Sequence, residues 1–193
     1  MSGKQCCSVM TMIWSFFIFF SFWGLIVFGY GYYAFSPHSD LHASYDCYAS
    51  NSKDVPNLAY DKQNENGDYH NVTANFQVVV YWGFFTYALM VTIFSCLLCN
   101  GENGPLTPCL AIMAFLTGCS YIGHFLTLMI LRWRHAGKVC SGDYLTDPNR
   151  FSIHGEKEPY LHDTGSFLFY AINSQFFFYL MMISGASIFA GME

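Results

Sequence analysis

The sequence predicts an all-α membrane protein, a four-transmembrane-helix bundle with two long loops on one side and a tight turn on the other. Two observations carry this. A soluble domain is about 25% charged, whereas this chain of 193 residues is 11% charged, 53% hydrophobic and 20% aromatic. The charges are also confined. No Asp, Glu, Lys or Arg occurs from Gln5 to Ser39, from Tyr69 to Gly101, from Asn103 to Leu131 or from Thr164 to Met192, runs of 35, 33, 29 and 29 residues. A helix crosses a bilayer with about 20 mostly apolar residues. Each run therefore holds one crossing and none holds two. In lipid the backbone must satisfy its own hydrogen bonds, which makes each crossing a helix.

The spans are placed at 10–34, 76–98, 108–131 and 166–190, in a single membrane domain over 1–193. The apolar run of the first far exceeds the roughly 7–15 residues of a signal-peptide core, and no small-residue cleavage site follows it, so it reads as an uncleaved anchor. Ser2 stands where N-myristoylation requires glycine. Between the second and third spans lies only Asn100-Gly-Glu-Asn-Gly-Pro-Leu-Thr107-Pro108. This is turn chemistry, with Thr107 as helix cap and Pro108 at the first helical position. The other connectors are long. Residues 36–70 carry six acidic residues against Lys53 and Lys62, and residues 132–163 carry five basic and five acidic ones. Helix parity puts both long loops on one side, and both termini with the turn on the other.

Two arguments on orientation conflict. Seven of the eight Lys and Arg residues lie in the long loops, which by the positive-inside rule favours loops in the cytosol. Cysteine placement favours the reverse. Each long loop holds one cysteine, Cys47 or Cys140, and a disulfide between them would staple the loops in an oxidising compartment. Cys6, Cys7, Cys96, Cys99 and Cys109 gather toward the other face. There Cys6, Cys7, Cys99 and Cys109 are candidates for cytosolic S-acylation. Asn71-Val72-Thr73 is the single N-glycosylation sequon and lies on the long-loop side, close to the second span. The joint placement favours termini in the cytosol and long loops outside, in the plasma membrane or an endomembrane.

Chemistry-bearing motifs are few. Cys96-Leu-Leu-Cys99 has redox spacing and looks like the motif of four-span disulfide-generating membrane enzymes. It lies across the membrane from Cys47 and Cys140, which blocks direct electron transfer. His38-Ser-Asp-Leu-His42 has a spacing that would put two imidazoles on one helix face, a weak metal candidate; surface histidines are the plainer reading. No cofactor is expected. Arg132 and Arg134 read as snorkelling to headgroups, with Trp133 at the interface. Tyr30, Tyr32, Tyr33, Tyr81 and Trp82 read as an interfacial belt. Within the spans, His124, Asn173 and Gln175 lie at matched depth below the outer boundary, which predicts a hydrogen bond between the third and fourth spans that acts as helix glue. Ala114-x-x-x-Gly118 and the glycines of the first span, Gly24, Gly29 and Gly31, mark candidate close helix contacts. The aromatic excess, as in Trp14-Ser-Phe-Phe-Ile-Phe-Phe-Ser-Phe-Trp23, exceeds what four helices can bury and suits lateral assembly.

Cytosolic termini, two outer loops and a minimal inner turn resemble the plan of tetraspan membrane proteins, the MARVEL-like vesicle and junction proteins especially. The resemblance is one of topology over the whole chain and carries no functional residues with it. It implies a non-enzymatic structural, membrane-organising or accessory subunit. Its expected partners are the lipid bilayer and other membrane proteins or copies of itself; the net charge of −5 argues against nucleic acid. The alternatives are a pore-forming or transport subunit of an oligomer, and a membrane thiol-disulfide oxidoreductase.

Overall fold

The computed structural model describes residues 3–52, 59, 69–100, 104–144 and 160–190, with side chains from 16 to 180 within those ranges except that of Asn100. The chain is mostly helical. Four long helices, α1 (Gly3–Phe35), α2 (Val72–Asn100), α3 (Thr107–Trp133) and α5 (His162–Ala190), are joined by short elements: a 3₁₀ turn at Asp40–His42, strands β1 (Tyr48–Ser50) and β2 (Tyr69–Asn71), and helix α4 (His135–Cys140). All four predicted spans lie inside long helices. The helices exceed the spans because polar residues at the ends continue the backbone hydrogen bonding. Three stretches, Phe16–His42, Val72–Cys99 and Thr107–Trp133, are long and apolar enough to cross a membrane.

The long helices run up-down-up-down. Trp23 packs on Tyr87 and Phe19 on Phe94, which sets α1 antiparallel to α2. Trp82 Nε1 donates to Ser120 Oγ at 2.9 Å between α2 and α3. Tyr121 reaches Gln175 between α3 and α5. Phe22 stacks on Phe178, closing α1 against α5 with ring centroids 4.4 Å apart. Contacts are most extensive along α1–α2 and α2–α3. The outward faces are apolar: Leu25, Phe28, Phe85, Ile112, Phe115, Ile130 and Phe177 are all exposed.

Several expectations about placement need correction. Leu106, not Thr107, caps α3, with no side-chain hydrogen bond, and Thr107 and Pro108 form the first helical positions. Proline at the second position satisfies the same constraint, since the first-turn N–H groups have no partner inside the helix. Tyr30 belongs to the core, with no exposed surface. Trp82 lies ten residues into α2, about 15 Å along it at 1.5 Å per residue, and its indole is tied to Ser120 of α3. Gly118 has nothing near its missing side chain, so Ala114-x-x-x-Gly118 marks no close contact with the described side chains. Gly29 does mark one, since a Cβ there would sit 2.5 Å from Phe167.

Candidate functional site

Polar side chains converge at two places, a cap over the long-loop end and a hub between the helices. The cap is built on strand pairing. β1 and β2 are antiparallel, with Tyr48 opposite Asn71, Ala49 opposite His70 and Ser50 opposite Tyr69. Val72 N–H donates to Cys47 O at 2.8 Å, which carries the pairing into the first residue of α2. Cys47 is thereby held against α4, whose buried face consists of Ala136, Gly137, Val139 and Cys140. The Cys47–Cys140 disulfide joins the two loops across 93 residues, with Cα atoms 6.0 Å apart and both cysteines fully buried. Two glycines let α4 dock. A Cβ on Gly137 would run into Leu131 O at the end of α3, and Gly142 turns the chain at φ 76°, a left-handed conformation natural to glycine.

Two carboxylates complete the cap. Asp143 takes both Nη1 and Nη2 of Arg132 at 2.8 Å, while Arg132 Nε donates to Gly165 O at 2.8 Å. Arg132 is only 4% exposed, so it ties α3 to the loop and to α5 rather than snorkelling to headgroups. The bidentate partner explains the difference: a guanidinium with a geometric match nearby gains more than one left at the lipid boundary. Trp133 is exposed beside it. Asp40, from the 3₁₀ turn, accepts from Thr164 N–H at 3.0 Å and from Thr164 Oγ1, and so caps the N-terminus of α5 from the other loop. Burial pushes the Asp40 carboxyl above its ordinary value, against the opposing pull of the Thr164 bonds. Burial also lowers the Arg134 guanidinium.

The hub lies where all four helices meet. His124 Nε2 donates to Val79 O at 3.0 Å. Its Nδ1 lies 3.1 Å from Tyr87 Oη, which lies 3.0 Å from Gln175 Oε1, and Tyr121 Oη donates to the same oxygen at 3.1 Å. Nε2 carries the proton, so neutral His124 offers Nδ1 as an acceptor, and the single Tyr87 proton serves Nδ1 or Oε1. Tyr30 packs edge-on to His124 with ring centroids 5.5 Å apart. Gly83 makes the room: a Cβ there would sit 2.5 Å from Tyr30 Cε1 and 2.7 Å from His124 Nε2.

Of the predicted intramembrane contacts, His124 and Gln175 both enter the hub, yet they meet through Tyr87 and not directly. Asn173 does not enter. It is exposed, and its Nδ2 donates to Phe169 O within its own helix at 2.8 Å. Two residues turn a helix by about 200°, so Asn173 and Gln175 face opposite ways. Cys96, Cys99, Cys109 and Cys119 are free and exposed. The side chains of Cys6 and Cys7 lie outside the described residues. Cys96 is 24 residues along α2 from Val72, about 36 Å at 1.5 Å per residue, far from the disulfide. His38 is exposed. His42 Nε2 donates to Ala34 O at 2.9 Å, which turns that nitrogen toward α1. The His-x-x-x-His motif therefore does not form one helix face, and no metal-holding cluster occurs among the described residues. Asn71 is half-buried and bonded rather than free: its Nδ2 donates to Asp46 Oδ2 at 3.0 Å and to Tyr48 Oη at 3.2 Å.

No family model matches the chain, and neither a curated protein nor a solved structure does. Sequence reading missed Tyr87, Gly83, Asp40 and Asp143. The one available signal was Gly83 itself, a helix-weakening glycine in the middle of an otherwise bulky apolar run.

Proposed function

We propose that the chain is a four-span membrane protein with cytosolic termini and outer loops, acting without catalysis as a structural, membrane-organising or accessory subunit. The observation that carries this reading is how the polar groups are used. In the hub and in the cap, the buried polar side chains that find partners join helices and loops to one another, while Tyr30 Oη and Gln175 Nε2 in the hub have none among the described residues. Outside the cap, the long helices offer apolar and aromatic side chains to their surroundings, an exposed area that a water-facing protein of this size would not tolerate. The fourth span is α5, whose 29 residues run antiparallel to α3. The plan resembles that of MARVEL-like tetraspan proteins. Lateral assembly with copies or other membrane proteins would use the aromatic walls, and outer contacts would use the cap.

The exposed Cys96 and Cys99 suit acylation better than thiol oxidation, because the disulfide they would serve lies at the far end of α2. The pore reading has less support, since His124, Tyr87 and Gln175 are each fully enclosed. Purification in mild detergent with native mass spectrometry tests the proposal. Assemblies with copies or membrane partners are expected. A chain that stays monomeric and captures no membrane partner after crosslinking in the native membrane would refute lateral assembly.

A further inference from the structure

Asn71-Val72-Thr73 reads as a site for an N-linked glycan, and with the loops outside it would face the glycosylation machinery. In the folded chain the polar side-chain atoms of this tripeptide are already engaged. Asn71 Oδ1 accepts from Ala74 N–H at 2.8 Å and caps the start of α2. That acceptor role fixes the amide orientation, so both Nδ2 hydrogens point away from α2. One goes to the Asp46 carboxylate at 3.0 Å and the other to Tyr48 Oη at 3.2 Å. Thr73 Oγ1 accepts from Cys47 N–H at 2.7 Å and is buried. Val72 N–H donates to Cys47 O at 2.8 Å, and Asn75 Nδ2 donates to Asn71 O at 2.8 Å. The sequon thus grips Asp46, Cys47 and Tyr48, the residues on and around the disulfide.

We propose that Asn71-Val72-Thr73 is the structural mount of Cys47, and that the mount excludes a glycan from Asn71 in the disulfide-linked protein. Glycosylation forms a bond from Nδ2 to the sugar C1, with loss of one Nδ2 hydrogen and departure of the lipid pyrophosphate carrier. One of the two donations to Asp46 and Tyr48 is then gone, and the sugar must occupy the space where the strand residues lie. The exclusion rests on the proposed topology. The mount does not.

Two measurements test this. In detergent-purified protein, reduction of Cys47–Cys140 by a soluble thiol reports opening of the cap, because both cysteines are fully buried. Thr73→Val removes the acceptor for Cys47 N–H, and Asn71→Asp keeps the helix-capping oxygen while removing both donations. Each is expected to speed reduction several-fold, with Thr73→Ser restoring the original rate. Unchanged rates in both Thr73→Val and Asn71→Asp would overturn the mount. In a eukaryotic host, Lys53→Thr creates a control sequon at Asn51, which is exposed. Peptide mapping is expected to find a glycan on Asn51 and a bare Asn71 in disulfide-linked chains. A glycan on Asn71 of a disulfide-linked chain would overturn the exclusion. A bare Asn51 would instead refute the outer placement of the loops, and the reduction rates would still decide the mount.

Discussion

The cap and the hub both tie α2, α3 and α5 together, by different means. The cap uses a disulfide, a bidentate Arg132–Asp143 pair and a carboxylate on a helix end. The hub uses neutral groups only: two tyrosine hydroxyls, one imidazole and one amide. A neutral hydrogen bond contributes little net stability where water competes for it, and the cap, at the loop end, adds covalent and charge-assisted links in which Cys47, Cys140 and Arg132 are buried. In an apolar surrounding the same neutral bond has no competitor, whereas an unpaired charge would be costly. The contrast teaches that charged and covalent links gather at the loop end, while neutral groups join the centre of the bundle.

Breaking the covalent link should have the largest effect. Closing a loop as long as the 93-residue separation of Cys47 and Cys140 restricts the unfolded chain strongly, and loss of such a bridge costs about 2–5 kcal/mol. Replacing both cysteines by alanine is expected to lower the thermal unfolding midpoint in detergent. The hub, which has no part in the bridge, should persist. An unchanged midpoint would show that strand pairing, Arg132 and Asp40 suffice to hold the cap.

The hub is tested most sharply by Gly83→Ala. The added methyl meets Tyr30 and His124, both fully buried and both held by neighbours. Overpacking of this kind costs about 1–3 kcal/mol, partly offset by the better helix propensity of alanine, about 1 kcal/mol. Net destabilisation is expected, with Gly24→Ala as the control, since nothing lies within 4 Å of its missing side chain. If cap and hub are independent, combining Gly83→Ala with the cysteine replacements should give additive shifts. A Gly83→Ala chain as stable as the Gly24→Ala chain would refute the crowding on which the hub geometry depends.

How much of this was legible in the sequence differs by region. The long helices were, because an apolar run of 29 or more residues needs no partner to declare itself. One cysteine per long loop made Cys47 and Cys140 the natural pair. Depth matching brought His124 and Gln175 to one level but could not find Tyr87, because tyrosine occurs throughout the chain and only packing selects one. Depth matching also misled at Asn173, since depth ignores which way a helix face points. Arg132 reads as snorkelling and Asp40 as no more than the acid within a histidine motif, because their partners Asp143 and Thr164 come from segments whose approach is set by the folded cap. Local sequence thus carried the elements, while the polar links that join them depended on contacts between distant residues.

The smallest expected effect is the pH dependence that Asp40 brings to the cap. Asp40 is pushed above its ordinary value of 3.8, chiefly by burial and further by the nearby Asp163 carboxylate, while the bonds from Thr164 pull the other way. Tyr33, on α1, faces the same carboxylates. A carboxyl whose folded value is raised holds its proton more tightly in the folded chain than in the unfolded one. Its contribution to stability is therefore fully present below 3.8 and is lost as pH rises through the raised folded value. Acidification through that window should stabilise the wild-type protein relative to Asp40→Asn, which cannot titrate there and keeps an oxygen for Thr164. The measurement is the difference in unfolding midpoint between the two proteins across the acid range. If wild type instead loses stability relative to Asp40→Asn on acidification, the ionised carboxylate on the α5 N-terminus outweighs its burial, and the cap depends on charge at that point as it does at Arg132 and Asp143.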